Sequence, residues 1–431
     1  MTLTTYDADI PDEGELVING NAAIALFGIE GLAGNDQNSA SVTIITPASY
    51  WNDGQNTLLF RHTRTTGYVV DNLRVSFDQA DSVANNSGNG YPSPMNDIAA
   101  KLIASGLIAS GPIVIDGKHD VVISGMHITN PSGSCVEVKN SSTNITIKDS
   151  VIGPCKDMGV DIVSSENVTI RNTYIHDTKS IGIRPYRSEH VQISSNQFEN
   201  IASGVYAGSS KQINVTGNYF LNVQGPFPRG QLVQFDRVTG AGNRINNNLG
   251  VSQPGASDPQ DAINLYRSRG TADDYIQVNG NTIIGGGPST SGGGIILGDR
   301  TGSYQIAENN ILVNPGSYGI SVSAGHHLVL SKNKVFTDGS QAMANTGVII
   351  GYQAKVDEYE CRDMVISNNE ITFWRGEDQL RGAPASYLSP YYKWSGCNPI
   401  TGWETNKFDK PTSQPANLDT SILPIELQGM Q

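Results

Sequence analysis

The sequence predicts an all-β chain wound as a parallel β-helix of about ten coils. Three observations carry this: a pattern recurring at a period in the low twenties, strand-forming residues within it, and an Asn that keeps returning near its centre. The anchors are Ile123, Ile147, Ile170, Ile193, Val215, Ile245, Val278, Ile306, Leu330 and Ile366, advancing by 24, 23, 23, 22, 30, 33, 28, 24 and 36 positions. A period that lengthens only by insertion marks a solenoid. Each unit is rich in Val, Ile, Thr and Asn and lacks apolar residues at helical spacing, so the repeated elements are short strands. A leucine-rich repeat would show Leu at nearly every anchor, whereas Ile and Val dominate here. Asn196, Asn218, Asn248, Asn281, Asn309, Asn333 and Asn369 are expected to stack from coil to coil, their amides bonding to one another at left-handed corners.

The ends read differently. Residues 1–95 lack the repeat, and short apolar runs at Leu16–Ile18, Ala23–Phe27, Val42–Ile45, Leu58–Phe60 and Tyr68–Val70 predict a small antiparallel β domain. Asn85–Pro94 has linker chemistry. Residues 96–372 form the solenoid, opened by a helix over Asn96–Ala104 that is expected to close the first coil, which otherwise exposes core and strand edges. Residues 373–431 gather Trp374, Trp394, Trp403, Tyr387, Tyr391 and Tyr392, an aromatic tail expected to cap the last coil. Four cysteines allow three pairings. Cys361 with Cys397 would staple this tail, and Cys135 with Cys155 would join neighbouring coils, although free buried thiols fit the sequence as well.

The net charge of −13 excludes nucleic acid as a natural partner. No apolar run is long enough to span a membrane. The N-terminus lacks a basic region followed by an apolar one, so export by another route, or a leader already removed, is expected. No metal ligand cluster stands out, and His326-His327 alone is a weak pair. No cofactor is assigned; calcium is left open.

The strands upstream of each anchor carry one outward side chain between two apolar ones. One outward row runs Glu137, Asp161, Arg184, Tyr206, Gln234, Asn264. A second, two residues on, runs Lys139, Val163, Tyr186, Gly208, Asp236, Tyr266. Arg187, Arg237, Arg267 and Arg269 sit beside them. Arg171 to Arg300 holds nine Arg against two Lys, in an otherwise acidic chain. Guanidinium forks suit carboxylate or sulfate groups. Long insertions at 221–231, 250–260 and 285–294 are expected on one side of successive coils, walling a groove. The bland alternative is a solvated surface, with Asp161 and Arg184 a plain ion pair.

Val114-Ile-Asp-Gly117, followed by Val121, Ile123, Gly125 and Ile128, resembles the right-handed parallel β-helix proteins of the pectate-lyase-like superfamily. The resemblance spans roughly residues 106–372. It implies a right-handed helix and raises the expectation of a polysaccharide partner, since the superfamily holds polysaccharide lyases, polygalacturonase-type hydrolases, uronan epimerases and phage tailspikes. The paired-aspartate and Gly-His-Gly signatures of polygalacturonases are missing, as is the epimerase Tyr-Gly-Phe-Asp-Pro-His signature.

Two chemistries fit the rows. In a lyase, Arg184 or Tyr186 would take the proton beside a uronate carboxylate, Arg237 or Arg267 would clamp that carboxylate, and Asp161 or Asp236 would orient the base. In a hydrolase, Glu137 and Asp161, one coil apart, would lie near the spacing of a retaining pair, their repulsion making one an acid. The Arg-rich setting tilts the reading to the lyase acting on an anionic polymer. Arg187, Tyr206, Gln234, Asn264 and Tyr266 complete the expected substrate contacts. The other class is a non-catalytic glycan-binding or structural surface protein, such as a virion spike, adhesin or filament subunit. Either reading expects a secreted, cell-surface or virion-surface location, and a monomer or homotrimer.

Overall fold

A computed structural model describes residues 2–6, 14–20, 24–25, 39–43, 52, 55–62, 69–74, 96–226, 228–287, 292–339, 346–354, 360–374 and 389–411. Contacts within the chain divide it after Asn85 into two units. The first contains two three-stranded antiparallel sheets. Thr2–Tyr6 lies between Ser39–Thr43 and Val69–Arg74, and Gly14–Ile18 between Ile24–Ala25 and Leu58–His62. The expected linker at 85–94 and Tyr387 lie outside the described residues.

The second unit is a right-handed parallel β-helix. One of its faces is an eleven-stranded parallel sheet running from Ile113–Asp116 to Ser389–Lys393, one strand per coil; the other strands join a continuous sheet around the remaining faces. Alternation decides which side chains go inward. Val136, Val138, Val160, Ile162, Ile183, Val205, Val233, Phe235, Ile263 and Leu265 are buried, and the residues between them form the outer face. Each fully buried Val, Ile or Phe contributes about 1.5–3 kcal/mol, so the coil stack itself is the core.

A column of buried amides fixes the register of the coils. Asn196, Asn218, Asn248, Asn281, Asn310, Asn333, Asn369 and Asn406 stack in sequence. Each Asn takes the backbone and side-chain N–H groups of the Asn below on its Oδ1, as Asn248 does from Asn218 at 3.0 and 3.1 Å. Its own Nδ2 donates to a core carbonyl, as Asn248 does to Val215 at 2.9 Å. Upstream, Thr173 donates its N–H to Asn196, and Met126 donates to the Ser150 hydroxyl, so smaller side chains continue the column.

Two sequence expectations are corrected here. The ladder member in its coil is Asn310, because Gln305 is fully buried where an apolar residue was expected and Ala307, not Ile306, pairs with Val278 in the core. A slip of one residue turns the whole strand over. From Asn196 to Asn369 the left-handed corner belongs to the residue before the ladder Asn: Ser195, Gly217, Asn247, Gly280, Asn309, Lys332 and Asn368 have positive φ, whereas the ladder residues do not. The amides are core groups, not corner groups.

The helix Asn96–Ala104 packs beside the strands Thr143–Cys155 and Glu166–His176, with Ala99 N–H 3.4 Å from Gln197 Oε1. It runs along the flank of several coils rather than across the first one, where Ile108, at a core register position, remains 68% exposed. At the other end Trp394, Ile400, Trp403 and Phe408 pack on the core. Both disulfides form, Cys135–Cys155 between neighbouring coils and Cys361–Cys397 joining the last coils.

Replacing Asn248 by Ala takes the acceptor from the Asn218 backbone N–H and the side-chain donor from the Val215 carbonyl, and leaves Asn281 Oδ1 only the backbone N–H of residue 248. The expected cost is about 3–5 kcal/mol, whereas Asn309→Gly, at an exposed left-handed corner, is expected to stay within about 0.5 kcal/mol. Urea denaturation of the two variants checks this; equal shifts contradict the ladder assignment.

Candidate functional site

Strands of the eleven-stranded sheet enter from the insertions and leave into a corner, so the outer face has two rims. The insertions lie on one side and on each other: Gln224 donates to the Ala256 carbonyl at 2.7 Å, Ser257 to Val223 at 2.7 Å, and Gln260 N–H to Gly230 at 3.2 Å. Within these segments Phe227 and residues 288–291 are outside the described residues. The opposite rim is a corner with positive φ in each of eight coils: Gly117, Asn140, Ser164, Arg187, Ser209, Arg237, Arg267 and Arg300. Gly, Asn and Ser are ordinary choices there. Arg is not, since a long side chain at positive φ costs roughly 1 kcal/mol. Four arginines in one disfavoured slot need a reason other than backbone geometry.

Between the rims the strands pair in the order the rows require. Glu137 lies opposite Asp161 and Asp161 opposite Arg184; Tyr206 lies opposite Gln234 and Gln234 opposite Asn264. In the second row Val163 pairs with Tyr186, Tyr186 with Gly208, Gly208 with Asp236, and Asp236 with Tyr266.

The contacts sort the side chains. Glu137 is held by Lys139 at 2.7 Å. Asp161 accepts two bonds from Arg184 at 2.8 Å each. Each carboxylate thus has its own cation, and the repulsion expected between them is offset. Both bonds commit the Arg184 guanidinium to the Asp161 carboxylate, a planar fork matched to its two oxygens. Tyr186 is left with Arg184 and Arg187 over its ring at 5.8 and 5.1 Å. Tyr206 donates to Asp236 at 2.8 Å beneath Arg229, whose guanidinium lies 4.7 Å from the ring. Burial, then the bond to Asp236, pushes the Tyr206 hydroxyl up to about 12. Asp236 is shared with Arg237 at 2.9 Å, and Tyr266 lies between Arg237 and Arg267 at 5.9 and 5.1 Å. The floor therefore alternates tyrosine rings with guanidinium planes.

Asn264 differs from the expectation of an exposed contact. It is 4% exposed, and its Nδ2 donates to Asp261 at 2.9 Å and to Asp299 at 2.8 Å. Tyr318 donates its hydroxyl to Asp261 Oδ1, the Gly293 N–H lies 3.3 Å from the same oxygen, and Gln353 donates to Asp299 at 2.8 Å. Burial raises the Asp261 carboxyl to about 6, and the nearby Asp299 charge adds to the rise against the three hydrogen bonds. The residue as a whole is half-buried.

Sequence reasoning missed this cluster for a definite reason. A β-bulge shifts the register between Asn264 and Tyr266, so Asp299 rather than Gly298 takes the place beside Tyr266 in the second row. Gly298, at φ +62° and with a Cβ position only 1.8 Å from the Ala324 carbonyl oxygen, makes that bulge. Gly-Asp ending a strand was the available signal. Ile296, which pairs with Asn264 in the next coil, is 7% exposed.

Among the described residues no group of three or more His, Cys, Asp or Glu is gathered to hold a metal ion, and no helix is long and apolar enough to cross a membrane.

These features define a right-handed parallel β-helix protein with a two-rimmed polar outer face. Residues 111–283 match the family described as right handed beta helix region. No curated protein matches the chain in sequence. Among solved structures, the tailspike protein of E. coli bacteriophage HK620 in complex with a pentasaccharide is similar, at 12% identity and TM-score 0.33, covering 73% of this chain and 63% of that one. This chain thus spans under two thirds of that tailspike's length. The catalytic domain of a GH87 alpha-1,3-glucanase is similar at 11% identity and TM-score 0.43, covering 94% and 89%. An alginate lyase from Paenibacillus sp. str. FPU-7 is similar at 12% identity and TM-score 0.33, covering 68% and 99%.

Gly298→Ala is expected to destabilise the protein by about 2–4 kcal/mol, since the new methyl meets backbone at a left-handed bulge. Gly217→Ala, at φ +64° with nothing within 4 Å, is the control and is expected to cost about 1 kcal/mol. Urea midpoints of both variants decide it.

Proposed function

We propose that the chain binds an acidic polysaccharide along the outer face of the eleven-stranded sheet and cleaves it. The observation that carries this reading is the placement of Arg187, Arg237, Arg267 and Arg300 at left-handed corners, where the backbone disfavours them. A recurring cation along one rim suits a ligand with recurring anions. From Glu137 to Asp299 the face spans seven coils, roughly 30 Å at the inter-strand spacing, which suits a polymer rather than a single small molecule. Tyr186, Tyr206 and Tyr266 offer rings whose orientation is fixed by neighbouring guanidiniums, and rigid aromatics bind sugar faces at low entropic cost. Two disulfides fit an oxidising location, so a secreted protein, or one on a cell or virion surface, is part of the proposal.

For the bond cleaved, elimination would rely on Tyr186 as base beside Arg187, with Arg237 or Arg267 on the uronate carboxylate. Hydrolysis needs two carboxylates free of cations, which Glu137 and Asp161 do not supply. One observation favours the non-catalytic reading: Asp161 and Asp236 are each tied to an arginine and so serve to position it. In that case the face would hold the polymer without cutting it.

Electrophoresis through gels containing polygalacturonate, alginate, hyaluronate or a neutral β-glucan tests the binding claim. Retardation is expected in an acidic polymer only, and should fade as salt screens the charges. Arg237→Ala and Arg267→Ala are each expected to weaken binding about tenfold, or 1.4 kcal/mol. Retardation by the neutral glucan alone, or variants that match the parent, would count against the arginine rim.

A further inference from the structure

We propose that Asp261 and Asp299, bridged by Asn264, are the acid and the nucleophile of a glycoside-hydrolysing centre at the end of the second row. This rests on the polysaccharide reading above and chooses hydrolysis over elimination.

The geometry supports it in three ways. Both carboxylates share one donor, Asn264 Nδ2, at 2.9 and 2.8 Å, so the bonded oxygens lie less than about 6 Å apart, within reach of the spacing of a retaining pair. No cation pairs with either carboxylate among the described contacts, unlike Glu137, Asp161 and Asp236. Finally, the cluster is short of donors. The Asn264 amide gives its protons to two acids, Tyr318 gives its proton to Asp261, and Gln353 donates to Asp299, while the buried Asn264 Oδ1 has no partner. A protonated carboxyl, or a sugar hydroxyl, makes up that deficit.

The environments of the two acids differ. Asp261 is crowded by Tyr318, Asn264, the Gly293 N–H and the Asp299 charge, and is held protonated up to about pH 6. Asp299 ends the row beside Tyr266, next to the Arg267 and Arg300 corners. In the first step Asp261 gives its proton to the glycosidic oxygen. The C1–O bond breaks with its electron pair on that oxygen, and Asp299 Oδ bonds to C1. In the second step water attacks C1, Asp261 takes the water proton, and the Asp299–C1 bond breaks with its pair returning to the carboxylate. One water is consumed, one hemiacetal and one alcohol are formed, and the anomeric configuration is retained.

The test uses whichever gel polymer retards the full chain and records reducing ends and absorbance near 235 nm together. The expected result is new reducing ends with flat absorbance, and a rate that falls as pH rises through about 6, because ionised Asp261 has no proton to give. Asp261→Asn and Asp299→Asn should each lower the rate a hundredfold or more while still being retarded. Azide should restore cleavage to Asp299→Ala, an effect that a purely structural role would not show. Should Asp261→Asn fail to fold, judged by its circular dichroism melt, the two Asp299 variants carry the test. A rise at 235 nm, or variants that cut at the parental rate, overturns this pair and leaves the proposed function standing. A polymer bound but never cut overturns the pair and the claim of cleavage, leaving binding. Retardation by no polymer removes the reading beneath both.

Discussion

Everything on the outer face depends on the buried amide column from Asn196 to Asn406. A parallel stack has no turn chemistry to set its register, because neighbouring strands are a whole coil apart in sequence. The column supplies that register by making each coil the hydrogen-bond partner of the next, at distances between 2.8 and 3.1 Å. Within a low-dielectric core a missing partner costs more than the bond contributes, so a slipped coil is penalised at every amide. Outward residues far apart in sequence, as Tyr186 and Gly208 or Tyr266 and Asp299, thereby become neighbours with a fixed spacing.

That constraint also explains where the chain departs from plain solenoid economy. Corners require positive φ, and most are filled by Asn, Ser, Asp or Gly, which tolerate it. Arg187, Arg237, Arg267 and Arg300 do not belong to that set. Asp161 and Asp236 then fix guanidiniums on the floor and rim, while Tyr186 and Tyr266 are each flanked by two of them. Positive-φ corners elsewhere carry Tyr304 and His327, whose rings meet tilted at 4.8 Å, on a different face. Side chains that the backbone disfavours mark the surfaces where something other than folding sets the sequence.

The fold was legible because its signal repeats. Period, residue type and the alternation of apolar side chains agreed in coil after coil, and the pairing of Glu137 with Asp161 and of Asp236 with Tyr266 follows from counting alone. What failed were single departures from the repeat. Gln305 buries an amide in an apolar slot and so hid Asn310 behind Asn309. A bulge at Gly298 moved Asp299 into the row, and Asp261 lies between the 250–260 insertion and the strand Ile263–Tyr266, where periodicity says nothing. The partners chosen by Arg184, Lys139 and Asn264 depend on side-chain conformations that spacing does not contain. The helix Asn96–Ala104 was legible as a helix, but its docking along a flank depends on tertiary packing.

The proposed acidic polymer would lie along the floor between the insertions and the arginine corners. Hydroxyl-radical footprinting of the full chain, with and without the polymer that retards it, addresses this side chain by side chain. Tyr186, Tyr206 and Tyr266, all partly exposed along the floor, are predicted to lose reactivity together when the polymer is added. Tyr304 on another face and Tyr391 on the last coil, 40% exposed, are predicted to stay unchanged. Protection confined to Tyr304 or Tyr391, with the three floor tyrosines unaffected, would contradict it.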